Sequence, residues 1–423
     1  MRASGSCEGD AVDARSPERG SAIIWALIFV AITSGLVVTH TALMASRRAD
    51  RDARYNRAGL ASTFARSGLQ DAVSWFHSRS NQPITTFAPS NDPAAVPPRI
   101  ETLDPTIGLV REFEINGNLW GRYEVARTET RDISSQRGNL TPGSVWELGV
   151  HAFVYRRRDP SRSYREPPNQ LLGTKALTSE IRWLQLNLPA PAALCAEDPS
   201  RVSVGDHGRV EGGDSIAIAF RDPASMPVAP VTTEPSLTAG AVVTGTPTQL
   251  PASVYEAGPE HIFAMRLDEL RTYSDVSLDK DVGSGGFNWG SFLAWLKSIL
   301  SGGGGGSSTT TDVPVIDGKL IVAKGLRFDG KMALTNSLLV VDGDLTSGML
   351  GDARIDGLVY VSGNAILDRG KFEVHGAMIV RGQVKLGTGS SGSALVHYDP
   401  AKIDLLRRTV GKYRAQRGRS PAQ

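Results

Sequence analysis

The seven histidines of this 423-residue chain are the first place to look for chemistry. They stand at His40, His77, His151, His207, His261, His375 and His397, with no metal spacing such as H-E-x-x-H. Two cysteines, Cys7 and Cys195, cannot make a disulfide framework, and Cys195 reads as a small inert residue rather than a nucleophile. The run Gly302-Gly303-Gly304-Gly305-Gly306 lacks the Lys-Ser/Thr that follows in a phosphate loop. Asp342, Asp344, Asp356 and Asp368 raise the chemistry of a polysaccharide-cleaving β-helix. Their repetitive setting favours turn residues instead, because Asp tolerates such turns. No catalytic, cofactor-binding or metal-ligating set emerges, so the expectation is a non-enzymatic protein without a cofactor. Lys plus Arg number 46 against 44 Asp plus Glu, a net charge of +2 that points to no strongly charged partner. Arg156-Arg157-Arg158 reads as a solvated strand end, and no nucleic acid is expected.

The aspartates belong to an internal repeat over 313–398. Leu338-Leu339-Val340-Val341-Asp342-Gly343 recurs as Leu358-Val359-Tyr360-Val361-Ser362-Gly363 and as Ala377-Met378-Ile379-Val380-Arg381-Gly382. Leu320 to Gly325 is a weaker copy. A period of roughly 18–20 residues means stacked single-unit rungs. No rung buries its face alone, so the stable solution is a right-handed parallel β-solenoid of about four to six rungs. Asp399-Pro400 starts a helix, with Ile403, Leu406 and Val410 on one face, and 399–412 is expected to cap the open end. Residues 414–423 read as a basic, unstructured tail. Val202 to Asp214 resembles one further turn. Residues 261–273 read as one helix, and Phe287 to Leu300 as an aromatic helical piece before the glycine run.

Upstream, four strands alternate with period two: Leu109–Ile115, Leu119–Thr128, Val145–Tyr155 and Leu171–Leu188. Asn116-Gly117 between the first two is a hairpin cue. An antiparallel sheet of this size needs cover for one apolar face. A cover is available. Ala61, Phe64, Ala65, Gly68, Leu69, Ala72, Val73 and Phe76 share one helix face, and no proline falls between Pro17 and Pro83.

That helix continues an apolar run from Ser21 to Ala45, which holds no Asp, Glu, Lys or Arg. About 25 residues make roughly 37 Å of helix, enough for one pass through a bilayer core of about 30 Å. Arg19-Gly20-Ser21-Ala22-Ile23-Ile24 and the segment Asn56–Gly59 through Phe64–Phe76 resemble the PilX-type pilus-assembly group among type IV pilin-like proteins and minor pseudopilins. The match covers about residues 17–77. The resemblance implies a cytoplasmic leader that a prepilin peptidase cuts between Gly20 and Ser21. It also implies an apolar helix that packs with others through Ile24, Trp25, Phe64, Leu69, Val73 and Phe76. One departure matters: Trp25 stands where standard pilins carry an intramembrane Glu, which favours an accessory or tip role. Counted by Lys and Arg, Arg47, Arg48, Arg51, Arg54 and Arg57 against Arg15 and Arg19 would retain the large domain in the cytoplasm. The resemblance implies export instead.

The expected fold is therefore α+β: a long N-terminal membrane-spanning helix packed on an antiparallel pilin-like sheet, then a β-solenoid with a helical cap. The expected parts are a leader (1–20), the helix (21–82), the sheet domain (83–190) and a connecting region (191–282). An aromatic and Gly-rich linker (283–312), the solenoid (313–398) and the cap with its tail (399–423) complete it. The expected function is an accessory component of a type IV pilus or type II secretion-like assembly. Its partners would be the inner membrane and other pilin-like subunits, with the bulk of the chain outside the cytoplasm. An envelope adhesin binding glycan, and a polysaccharide-active β-helix enzyme, stand as alternatives.

Overall fold

Period-two alternation produces strands at the expected places: Gly108–Asn116, Leu119–Ala126, Val145–Arg156 and Gln170–Trp183. Gly117, at a φ of 55°, turns the first hairpin, a conformation that glycine adopts without steric cost. The structure is a computed structural model and describes residues 40, 44, 47, 55–139, 141–221, 235–245, 248–250, 255–278 and 315–416. The apolar run 21–45, apart from His40 and Met44, lies outside them, as do the leader and residues 283–312. Among the described residues no helix is long and apolar enough to cross a membrane.

The described part is mostly β, an antiparallel sheet plus a β-solenoid of about 7 turns, with few helices. It divides into two units. The first holds residues 55–64, Glu112–Arg122 and Ala152–Lys175; the second holds the remaining sheet and helix segments and the whole solenoid. The sheet order is Tyr413–Ala415, Gln170–Trp183, Val145–Arg156, Leu119–Ala126, Gly108–Asn116. Its edge strand Tyr413–Ala415 corrects the reading of the C-terminal stretch as unstructured from residue 414. It pairs antiparallel with Trp183, Arg182 and Ile181.

The solenoid repeats stack in parallel register, Leu320 on Leu338, Leu338 on Leu358 and Leu358 on Ala377. Gly357 and Gly376, at φ of 150° and 145°, sit in consecutive rungs. A Cβ on Gly376 would lie 1.9 Å from the Gly357 carbonyl oxygen, so this column admits nothing larger. The apolar runs are explained by burial on both sides, as in parallel sheets. Leu339, Val341, Val359, Val361, Met378 and Val380 fill the lumen. The alternate residues Leu338, Val340, Leu358, Tyr360, Ala377 and Ile379 face outward, beneath a second apolar layer that includes Phe263, Leu270, Ile403 and Leu406.

The order of the rungs is not the order of the chain. The last repeat, Val384–Tyr398, does not end the stack: it pairs with Val202–Val204 and Gly208–Glu211, from the earlier connecting region. Met378 likewise sits beside Leu194, and Ala192–Ala196 pairs with Ile216–Arg221. Val242–Thr244 and Thr248–Leu250 extend that end further. The chain then returns to the opposite end, where Val276–Leu278 pairs with Ile321–Ala323. Residues 202–214 are thus part of the spiral, paired with a strand about 180 residues further along the sequence.

Two further expectations are corrected. The helix Pro400–Thr409 has Asp399 as its N-cap, accepting from the Ala401 and Lys402 amides. It lies along the side of the solenoid against Lys331–Val341, Asp352–Val361 and Ala365–Val380, rather than over the end. The reason is that the last rung's edge is already paired, while the outward Leu338–Ile379 layer still needs cover. The single helix expected at 261–273 is two, Pro259–Phe263 and Leu267–Tyr273, interrupted at Ala264 with a φ of 55°.

Candidate functional site

Residues 55–77 are helical, as are His40, Met44 and Arg47. Ala61, Ala65, Gly68, Ala72 and Phe76 are buried. Small residues predominate because the sheet comes close. A Cβ on Gly68 would lie 2.8 Å from Val150 Cγ1 and 3.0 Å from Tyr123 Cδ2. One turn on, Asp71 accepts hydrogen bonds from the Tyr123 hydroxyl at 2.9 Å and Arg111 Nε at 3.3 Å. Burial, and then the Asp71 carboxylate, push the Tyr123 hydroxyl well above its ordinary range, so it stays a donor.

Past Gly68 the helix ends in an aromatic cluster. Phe76 meets Trp146 edge-on at 5.4 Å and Tyr413 at 4.9 Å, and stacks on Phe87 at 5.8 Å. The Tyr413 hydroxyl donates to the Gly143 carbonyl and accepts from the Ile84 amide. Tyr413, from the C-terminal edge strand, therefore holds the helix end, the 84–87 loop and the sheet together. At the rim, Glu101 accepts from Arg79 at 2.6 Å, Trp75 Nε1 at 3.0 Å and the Ser90 amide at 3.0 Å. Burial pushes this carboxyl up, but the Arg79, Ser90 and Trp75 donors prevail and lower it to about 2.

Of the residues expected to act in assembly, Gly20, Ser21, Ile24 and Trp25 lie outside the described residues. Phe76 is buried. Phe64 is half-buried, stacked at 6.1 Å on Phe113. Leu69 and Val73 are half-buried on the flank of the helix rather than in its buried row.

A second polar constellation was not legible in the sequence. Arg182 is 4% exposed; its guanidinium reaches Glu269 at 3.0 Å and Glu180 at 3.7 Å. Glu180 also takes Arg137 at 2.6 Å and the Tyr273 hydroxyl at 2.8 Å. Arg414 pairs with Asp275 at 2.8 Å. An open cleft of about 610 Å³ adjoins them, lined also by Asn139, Asn187, His261 and Arg266. Charges of both signs pair with one another here, so the arrangement ties the sheet edge to the two short helices and offers no single-sign ligand site. The available signal was the alternation of Glu180 and Arg182 opposite Ile181 and Trp183.

Asp342 and Asp344 stand in a turn as expected, whereas Asp356 and Asp368 lie within the strands Asp352–Val361 and Ala365–Val380, which corrects their reading as turn residues. Asp344 Oδ1 accepts from the Asn364 amide at 2.7 Å, and Asp342 accepts from Ser362 at 3.3 Å and Arg271 at 2.6 Å. Asp356 pairs with Arg354 and Lys402. Register brings His375 and His397 together, ring centroids 5.9 Å apart, with Glu211 3.3 Å from His397. Among the described residues no group of three or more His, Cys, Asp or Glu could hold a metal. Cys195 is fully buried, which pushes its thiol up to about 12. Among the rung aromatics, Tyr360, Phe372, Phe328 and Phe220 are buried and Tyr398 is half-buried.

No family model, curated protein or solved structure matches this chain.

Proposed function

We propose that this chain is a membrane-anchored, pilin-like accessory component of a type IV pilus or type II secretion-like assembly. In this reading the 21–45 helix is the anchor and packing element, and the sheet and solenoid are displayed outside the cytoplasm. The observation that carries it is the helix of residues 55–77. It begins at residue 55, with nine residues, 46–54, between it and the apolar run, and lies on an antiparallel sheet at contact distance through Gly68, Asp71 and Phe76. An apolar span that runs on into a head-domain helix would couple lateral packing in the membrane to the position of the head. The absence of an intramembrane acid, with Trp25 in its place, favours an accessory position over regular filament insertion.

A glycan-binding solenoid is the rival reading; it would need exposed stacking aromatics, and Tyr360 and Phe372 are not exposed. The test is membrane solubilisation in mild detergent after in vivo cross-linking, with affinity capture of the full chain. Co-capture of inner-membrane pilin-like subunits, lost on replacing 21–45 by an unrelated membrane span, is the expected result. Capture of none, with retention on isolated envelope glycan, would sink the assembly reading.

A further inference from the structure

The first of the two units carries a local concentration of positive charge. Residues 152–175 carry Arg156, Arg157, Arg158, Arg162, Arg165 and Lys175 against Asp159 and Glu166, although the whole chain is only +2. Within the unit these charges are sorted. Glu112 lies inside, taking Arg122 at 3.1 Å and Arg157 at 3.7 Å, and those two guanidiniums sit over the rings of Tyr164 and Trp120. Tyr164 packs in turn on Phe153 and Tyr155. This largely buried cluster holds up a loop whose Arg158, Arg162 and Arg165 are exposed, Arg162 lying 3.6 Å from Asp159 and Arg165 over the Phe153 and Tyr164 rings; Lys175, in the strand Gln170–Trp183, is exposed too. The same unit exposes three large apolar side chains, Tyr55 at 77%, Leu171 at 43% and Phe113 at 42%.

Basic residues interspersed with exposed apolar and aromatic groups are the composition of a bilayer-interface surface, where both contributions add. Position agrees. The unit contains residue 55, and only nine residues, 46–54, separate it from Ala45, the end of the apolar run. Whatever their conformation, they span at most about 35 Å, and about 15 Å if helical. We propose that this unit docks on the membrane surface, with Arg158, Arg162 and Arg165 on anionic lipid headgroups and Tyr55 and Leu171 at the interface. A single-stranded nucleic acid would use the same arginines and stack on Tyr55, but it has no use for Leu171, and proximity to the apolar run favours the membrane surface. The proposal rests on the anchor reading above. Its consequence is that the lipid composition sets how the head stands on its anchor.

The test uses the full chain with Cys7→Ser and Ser161→Cys, labelled at residue 161, an exposed site; the remaining Cys195 is buried. The protein is reconstituted in vesicles of neutral lipid, or with about a third phosphatidylglycerol, each doped with nitroxide-headgroup lipid. Quenching of the label is expected only in the anionic vesicles. It should be lost in about 0.5 M salt, where screening falls to roughly 4 Å. R158E/R162E should weaken it by more than tenfold in apparent affinity for the anionic lipid, at roughly fivefold per arginine removed. Equal quenching in both vesicle types, or insensitivity to both salt and charge reversal, overturns the proposal. So does binding of a duplex oligonucleotide with the same arginine dependence but no lipid quenching. Resistance of the protein to alkaline extraction reports the anchor separately: anchored protein without quenching overturns only the docking lobe, whereas extracted protein overturns the anchor reading as well.

Discussion

Gly59 and Gly68 stand in the same helix and differ in one respect, which makes them a matched pair. A Cβ on Gly59 meets nothing within 4 Å, whereas on Gly68 it meets Val150 and Tyr123 at 2.8–3.1 Å. Replacing a helical glycine by alanine gains about 1 kcal/mol of propensity at either position. At Gly68 the gain is opposed by overpacking, typically about 1–3 kcal/mol. Propensity cancels in the comparison, so G68A should be less stable than G59A by about 1–3 kcal/mol, roughly a five- to 150-fold difference in helix opening. Displacing the helix also pulls Asp71 from the Tyr123 hydroxyl, so the larger end of the range is expected for G68V. The assay is amide hydrogen exchange on the full chain in detergent, read on peptides spanning 61–76. It follows local opening and does not require two-state unfolding of a chain this size. Equal protection in G59A and G68A would refute the close approach of helix and sheet.

Three other outcomes follow from the same structure. R182A should destabilise the 180–183 and 267–273 segments by about 1–3 kcal/mol, because it takes the guanidinium from half-buried Glu269, while Glu180 keeps Arg137 and the Tyr273 hydroxyl. R182A/E269A should recover part of that loss in a double-mutant cycle, and strict additivity would contradict the pairing. Glu101 has a folded pKa of about 2, below its ordinary 4.5, so its contribution is fully present above pH 4.5 and is lost as pH falls through about 2. E101Q should flatten the acid limb of the stability curve in that window, and an unchanged limb would remove the role given to Arg79 and Trp75. L406A, at a fully buried position of the flanking helix, should cost about 2–5 kcal/mol and expose 400–409 to exchange. Wild-type protection there would mean that the helix does not cover the solenoid.

The strands of the sheet were legible because period two and Asn116-Gly117 are local signals. The solenoid was legible because Leu338–Gly343 and its copies repeat. The rung order was not, and the reason is physical: every parallel rung offers the same backbone edge, so nothing in Val384–Tyr398 announces that its neighbour is Val202–Val204. The strands between 192 and 250 that join this end of the stack therefore look like a connecting region in the sequence. Tyr413–Ala415 was hidden for a different reason. Three residues among arginines carry no periodicity, and the strand is fixed by Tyr413 reaching Phe76 and Gly143. Leu69 and Val73 belong to the apolar stripe by spacing, yet Gly68 and Ala72 take the contact face because the sheet approaches too closely for larger side chains.

The central claim is that residues 21–45 are retained as the anchor of a pilin-like subunit. N-terminal sequencing of the protein extracted from membranes tests it most directly. A mature start at Ser21, in the membrane fraction, is the predicted result. A start near Ser46, with the chain released from the membrane, would contradict it.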